Sequence, residues 1–291
     1  MNKSKIEWCD MTWNPVTGCY HGCEYCYARK IANRFDGNFA ITNPTTGDFL
    51  ISDFASECIV SPKLNDKSGA FMVQKQPIFN LKPENKTRLP YPFGFCPTFH
   101  RSRLNEPSLK TKPQTIFVCS MADLFGDWVP DEWIEAVFDA CKKAPQHRYL
   151  FLTKNPKGLT EWKKQNSKAW CNLQNAFGFY ADTPWYGVSV IDSLSINRIL
   201  DLPRVCNKFI SIEPLLQPLI IKELKYALGN QFVDWVIIGA ETGNRKDKVV
   251  PKAEWITEIT DECDRQKIPV FMKNSLVPVV GEVNMRREFP W

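Results

Sequence analysis

The chain has 291 residues, 44% of them hydrophobic, and a formal net charge of +5, enough length and apolar content for a substantial core. No apolar run reaches the roughly 18 residues that a bilayer-crossing helix needs, and the opening stretch MNKSKIEWCDMTW has no apolar signal-peptide core, so a cytoplasmic protein with no membrane contact is expected. Eleven cysteines, an odd number placed largely in apolar runs such as IFVCSM and VFDACKK, argue against a disulfide framework and read mostly as small buried hydrophobes.

A first strand is expected within KIEWCDMTWNP, followed by the stretch GCYHGCEYCYA and a helix near YARKIANRF. Residues 36 to 114 then break the rhythm with nine prolines, several aromatics and the phrase YPFGFCPTFHRSR. From Ser61 to Gln114 there are ten Lys or Arg against three acidic residues. A long insert of this kind in a compact domain is usually a lid or binding loop, and its positive charge suits a nucleic-acid contact. Within it, His100, Arg101 and Arg103 beside Phe95 and Phe99 combine cations with aromatic faces, a combination suited to phosphates and stacked bases.

Six β-branched or aromatic runs follow: TIFVCS, RYLFLT, WYGVSV, KFISIE, DWVIIG and IPVFMK, starting at residues 115, 148, 185, 208, 234 and 268. Each gap holds a helix and two loops, the requirement of a βαβ crossover. PDEWIEAVFDACKKA places Trp133, Ile134, Val137, Phe138 and Cys141 on one stripe, with acids in its first turn and lysines in its last. PKAEWITEITDECDRQ repeats the design with Trp255, Ile256, Ile259 and Cys263. Strands apolar on both faces argue for a parallel sheet covered on both sides. The expectation is an α/β chain, a partial (β/α) barrel of six to seven parallel strands. It divides into residues 1–35 (first strand, cysteine loop, first helix), 36–114 (the basic insertion) and 115–291 (the remaining βα units). An open doubly wound sheet is the rival, but no G-x-G-x-x-G or Walker A pattern accompanies it.

Polar residues recur where the strands end: Ser120, Asp123, Thr153, Lys154, Ser189, Glu213, Glu241, Lys273 and Asn274. At the C-terminal ends of barrel strands such groups converge on one mouth, and isolated charges there need partners or ligands.

The cysteine loop carries Cys19, Cys23 and Cys26 within eight residues, with Tyr25 before the last. A closed zinc site takes four ligands, and His21, two residues from Cys19 and from Cys23, offers a strained fourth. An iron–sulfur cluster makes better use of three thiolates, since one iron then keeps an open position for a ligand.

The spacing C-x3-C-x2-C, with its aromatic before the last cysteine, resembles the signature of the radical S-adenosylmethionine superfamily. Over most of the chain, TWNPVTGC, CYA, FVCSMADLFGDWVP, LFLTKNP, SIEPLL, IIGAETG and VFMKNS resemble a family of phage- and prophage-associated three-cysteine-motif proteins. The resemblance implies a [4Fe-4S] cluster on Cys19, Cys23 and Cys26, whose open iron chelates S-adenosylmethionine, with the Tyr25 backbone beside the adenine. It implies reductive cleavage to a 5′-deoxyadenosyl radical and an external one-electron donor. The Gly-Gly-Glu-type motif that many superfamily members carry after the second strand is replaced here by Ser120, Met121, Ala122 and Asp123, leaving Ser120 and Asp123 to bind the methionine amine by altered geometry. Lys154, Ser189, Glu213 and Glu241 are the expected further cofactor contacts, and His100, Arg101, Arg103 and Lys273 the expected substrate contacts. The substrate reading is DNA or RNA, in repair or base modification. Its alternatives are peptide or protein modification, an electron-transfer cluster, and a non-catalytic zinc-holding module that binds nucleic acid.

Overall fold

The computed structural model describes residues 1–35, 56–60, 70–79, 88–178, 184–203, 207–229 and 233–291. In chain order its elements are β1 (Asn2–Lys3), β2 (Met11–Trp13), β3 (Val16–Thr17), α1 (Tyr27–Arg34), β4 (Ser56–Val60), β5 (Ala70–Gln74), β6 (Thr98–His100), β7 (Thr115–Val118), α2 (Asp131–Lys142), β8 (Arg148–Thr153), α3 (Pro156–Gln165), α4 (Ser167–Phe177), β9 (Trp185–Val190), α5 (Ser193–Ile196), β10 (Lys208–Ile212), α6 (Ile221–Leu228), β11 (Trp235–Ile238), α7 (Ala253–Gln266) and β12 (Val270–Met272), with short 3₁₀ turns between several of them.

The main sheet has eight strands in the order β1-β2-β7-β8-β9-β10-β11-β12. Only the β1–β2 pair is antiparallel; every other neighbouring pair is parallel. From β2 onward the strands lie side by side in chain order, without the reversal of order that defines a doubly wound sheet.

β7 to β12 bury both faces almost throughout, whereas β1 is exposed, and successive residues of the buried strands alternate between two cores. Val236 and Ile238 of β11 face the larger core with α2, α4, α6 and α7, whereas Trp235 and Ile237 join Trp8, Phe117, Leu150, Trp185, Phe209 and Phe271 in a second, aromatic cluster. That cluster also reports the curvature of the sheet. β7 and β11 are four strands apart, about 19 Å in a flat sheet, yet the Trp8 ring lies 4.7 Å from Phe117 of β7 and 6.2 Å from Trp235 of β11. The sheet therefore curls around Trp8. Gly187 makes room for this packing, since a Cβ there would stand 2.4 Å from the Phe209 ring.

The segment between β1 and β2 also touches the far edge of the sheet. Glu7 Oε1 accepts from the Asn274 amide just beyond β12 at 3.0 Å.

The described part of the 36–114 insertion does not stand apart from the fold. β4, β5 and β6 form a second sheet with β3, in the order β3-β6-β5-β4. β3 follows β2 after only Asn14 and Pro15, so this sheet sits at the C-terminal end of β2. Phe99 of β6 stacks on Trp133 of α2 at 5.1 Å, stitching the two parts together.

Among the described residues, no helix is long and apolar enough to cross a membrane.

Candidate functional site

The cysteine loop is fixed at both ends. Gly18 adopts φ +85°, and a Cβ there would stand 2.3 Å from the Cys96 carbonyl oxygen, so only glycine lets the loop pass beneath the insertion. Its amide donates to the Met121 carbonyl at 2.9 Å. At the other end Cys26 is the N-cap of α1, its sulfur accepting from the Arg29 amide at 3.3 Å. Tyr27 donates its hydroxyl to the Ser120 carbonyl at 2.7 Å, joining the start of α1 to the end of β7.

Between these anchors His21 Nε2 lies 2.7 Å from Asp123 Oδ2, and the His21 ring meets Trp128 edge-on at 4.9 Å. Asp123 is buried. Its Oδ1 accepts from Thr153 Oγ1 at 2.7 Å and the Phe125 amide at 3.1 Å, and its Oδ2 also accepts from the Lys154 amide at 2.8 Å. Burial alone would raise the Asp123 carboxyl, but its hydrogen bonds to His21, Thr153 and Lys154 outweigh that and hold it below its ordinary value.

These elements enclose a cavity of about 560 Å³ at the C-terminal ends of the parallel strands. Cys19, Cys23, Tyr25 and Cys26 form one side, and Ser120, Asp123, Lys154, Ser189, Glu213, Glu241 and Lys273 border the rest. The three cysteines are free thiols, each partly exposed. Burial, reinforced by the Asp123 charge, pushes Cys19 up to about 12. Among the described residues, no three His, Cys, Asp or Glu side chains draw together into a single-ion site, and His21 gives one ring nitrogen to Asp123 rather than joining the cysteines.

The polar wall is internally paired. Lys154 Nζ donates to Ser189 Oγ at 2.6 Å and lies 5.5 Å from the centre of the Tyr25 ring; burial lowers its pKa. Lys273 and Glu213 form an ion pair. Gly239 leaves space for it, since a Cβ there would meet Lys273 Cδ at 3.1 Å and Glu213 Cδ at 3.2 Å. Glu241 is held by both prongs of Arg245, at 2.7 and 2.8 Å, and by the Val249 amide, and the Arg245 bonds lower its carboxyl. Ser120 Oγ donates to Asn14 Oδ1 at 3.2 Å.

Two expectations change. Asp123 borders the cavity, but both its oxygens are filled by His21, Thr153 and backbone amides, so it clamps the cysteine loop rather than offering a free carboxylate to an amine. The trio His100, Arg101 and Arg103 does not form a cationic surface, and none of the three borders the cavity. His100 is fully buried between Gln74 and Thr17, and burial, with Arg103 and Arg88 nearby, holds its pKa well below the imidazole range. Arg103 is buried with its guanidinium on the Asn14 and Pro90 carbonyls at 3.0 and 2.8 Å. Burial and Arg88 lower it to about 10, so it stays cationic and structural. Arg101 is exposed. Lys63, Lys67, Lys82 and Lys86 of the basic insertion lie outside the described residues.

Trp8, Tyr27 and Ser211 border the cavity without having been singled out from the sequence. Ser211 carried a usable signal, a polar residue at an inward position of the otherwise apolar run FISI. Trp8 carried none, because its place inside the curled sheet depends on a loop and not on strand periodicity.

A family model described as a protein of unknown function (DUF5131) matches residues 3–276, and the chain belongs to that family. No curated protein and no solved structure matches it.

Proposed function

We propose that this chain is a cytoplasmic radical S-adenosylmethionine enzyme built on a partial (β/α) barrel. Cys19, Cys23 and Cys26 would hold a [4Fe-4S] cluster, and the cavity beside them would take S-adenosylmethionine and a substrate. The observation that carries the reading is the gathering, around one cavity, of three thiols from a single eight-residue loop and of the polar ends of the strands. The donor set fits such a cluster: three soft ligands from one loop, with the opposite wall free of further cysteine apart from Cys119, which lies on β7's continuation.

When bound and reduced by an external donor, the cluster would supply the electron that cleaves S-adenosylmethionine to methionine and a 5′-deoxyadenosyl radical. The chain's own residues do the rest. Glu213 and Lys154 offer one carboxylate and one ammonium group, the complement of the amine and carboxylate of an amino acid. Ser189 orients Lys154. The apolar surfaces of Ile6, Phe117 and Leu152 exclude water from the interior, which strengthens those ionic contacts. The basic composition of residues 61–114, ten cations, of which Arg103 is buried, against three anions, supports a nucleic-acid substrate.

Anaerobic reconstitution with iron and sulfide, followed by addition of dithionite and S-adenosylmethionine, tests the reading. A brown protein that releases 5′-deoxyadenosine is the expected result. A colourless protein, or one that binds iron without cleaving the cofactor, would overturn it.

A further inference from the structure

Among the described residues, two buried polar atoms of cavity-lining side chains have no hydrogen-bond partner: Trp8 Nε1 and Ser211 Oγ. The side chains are 2% and 1% exposed, so bulk water does not satisfy them. Buried polar atoms are nearly always hydrogen-bonded, and two exceptions beside one cavity call for an explanation.

Their positions are complementary. Ser211 lies on the same face of β10 as Phe209, two residues nearer the C-terminal end, flanked by Ser189 of β9 and Ile237 of β11. It therefore stands one layer above the aromatic cluster that surrounds Trp8. An indole N–H only donates, whereas a hydroxyl donates or accepts, so the missing partner presents at least one acceptor. Ile6, Phe117 and Leu152 give the same end of the cavity apolar walls, and Lys5 and Lys273 border it as cations. An acceptor-bearing, flat, largely apolar group with an anionic tail fits all three features.

We propose that the deep end of the cavity binds the base of a nucleotide, with Trp8 Nε1 and Ser211 Oγ bonding to the polar edge of the ring and Lys5 and Lys273 facing its phosphate. This deepens the substrate part of the proposed function and assigns Trp8 and Ser211 to the substrate rather than to S-adenosylmethionine.

The test is calorimetric titration of the full-length, cluster-free chain with each of the four deoxynucleoside 5′-monophosphates. At least one binds, and Trp8→Phe and Ser211→Ala each weaken that binding about five- to tenfold, the effect of one hydrogen bond. Ser211→Ala also leaves the melting temperature of the free protein unchanged or raised, because it deletes an unsatisfied group; a merely structural serine would lower it. Binding of no monophosphate, binding insensitive to both substitutions, or binding only of a tyrosine-containing tripeptide would overturn the inference. Competitive displacement of the monophosphate by S-adenosylmethionine would do so too, by giving the deep end to the adenosyl group. Formation of 5′-deoxyadenosine by the reconstituted wild-type protein is read separately, so a failure of the cluster reading leaves the nucleotide result intact, and the reverse.

Discussion

His21 Nε2 and Asp123 Oδ2 stand 2.7 Å apart and join the middle of the cysteine loop to the turn after β7. Asp123 in turn takes hydrogen bonds from Thr153 and the Lys154 amide at the end of β8, so one buried carboxylate sets the position of three cysteines against two strands. Asp123→Asn keeps the shape but replaces one acceptor oxygen with a donor facing other donors. The expected loss is about 2–3 kcal/mol in denaturant unfolding, with Trp128 fluorescence changed and, under the proposed function, iron content after reconstitution reduced. An unchanged midpoint and full iron loading would show that the clamp is dispensable. Because the Asp123 carboxyl is held below its ordinary 3.8, its contribution is present above that pH and is lost as pH falls through the lower folded value.

His100 gives an acid response of the same sign in a higher pH window. Its pKa in the folded chain lies well below the ordinary 6.5, so the unfolded chain binds a proton that the folded chain refuses. Stability is therefore full above 6.5 and declines as pH drops below it, with a slope approaching about 1.4 kcal/mol per pH unit for this one group. Unfolding curves between pH 7 and 5 measure that slope, and His100→Gln should flatten it even if the midpoint at pH 7 also falls. An equally steep decline in the variant would place the proton uptake elsewhere.

Two glycines of the cysteine loop separate conformation from crowding. Gly18 and Gly22 both adopt positive φ, +85° and +72°, but a Cβ on Gly22 meets nothing within 4 Å whereas one on Gly18 runs into the Cys96 carbonyl. Gly22→Ala should cost about 1–2 kcal/mol, the left-handed penalty alone. Gly18→Ala adds a backbone collision and should cost more, with displacement of the loop from the insertion. Equal losses by thermal or chemical denaturation would contradict this packing.

Cys119 also borders the cavity, but it lies on the continuation of β7 and is almost wholly buried. Under the proposed function Cys23→Ala abolishes iron binding and 5′-deoxyadenosine formation together, while Cys119→Ala keeps the iron. Loss of iron in Cys119→Ala with retention in Cys23→Ala would reassign the ligand set.

The strand pattern was legible because a strand buried on both faces reads as a short continuous apolar run. RYLFLT and WYGVSV coincide with β8 and β9, and the stripe of PDEWIEAVFDACKKA with α2. The second sheet was not legible, because β3 and β6 span only two and three residues and their pairing joins sequence positions more than 80 residues apart. The polar strand ends of the main sheet were read as converging, and all of them but Asn274 border one cavity. The cationic phrase FHRSR misled for a physical reason: the same histidine and arginine that suit phosphate also suit buried carbonyls, and composition alone cannot distinguish an inward from an outward cation.

The bond between Glu7 and the Asn274 amide spans 267 positions of sequence. The segment it fixes carries Lys5, Ile6 and Trp8, all of which border the cavity, and Lys273 borders it from the other end of the chain. During synthesis the cysteine triplet is made long before Asn274, yet the wall that Glu7 ties down is not closed until residue 274 arrives. Under the proposed function, the three candidate ligands therefore exist for most of the chain's production without the finished cavity around them, and a cluster that needs every wall of that cavity would be completed only after the segment around Asn274 has docked.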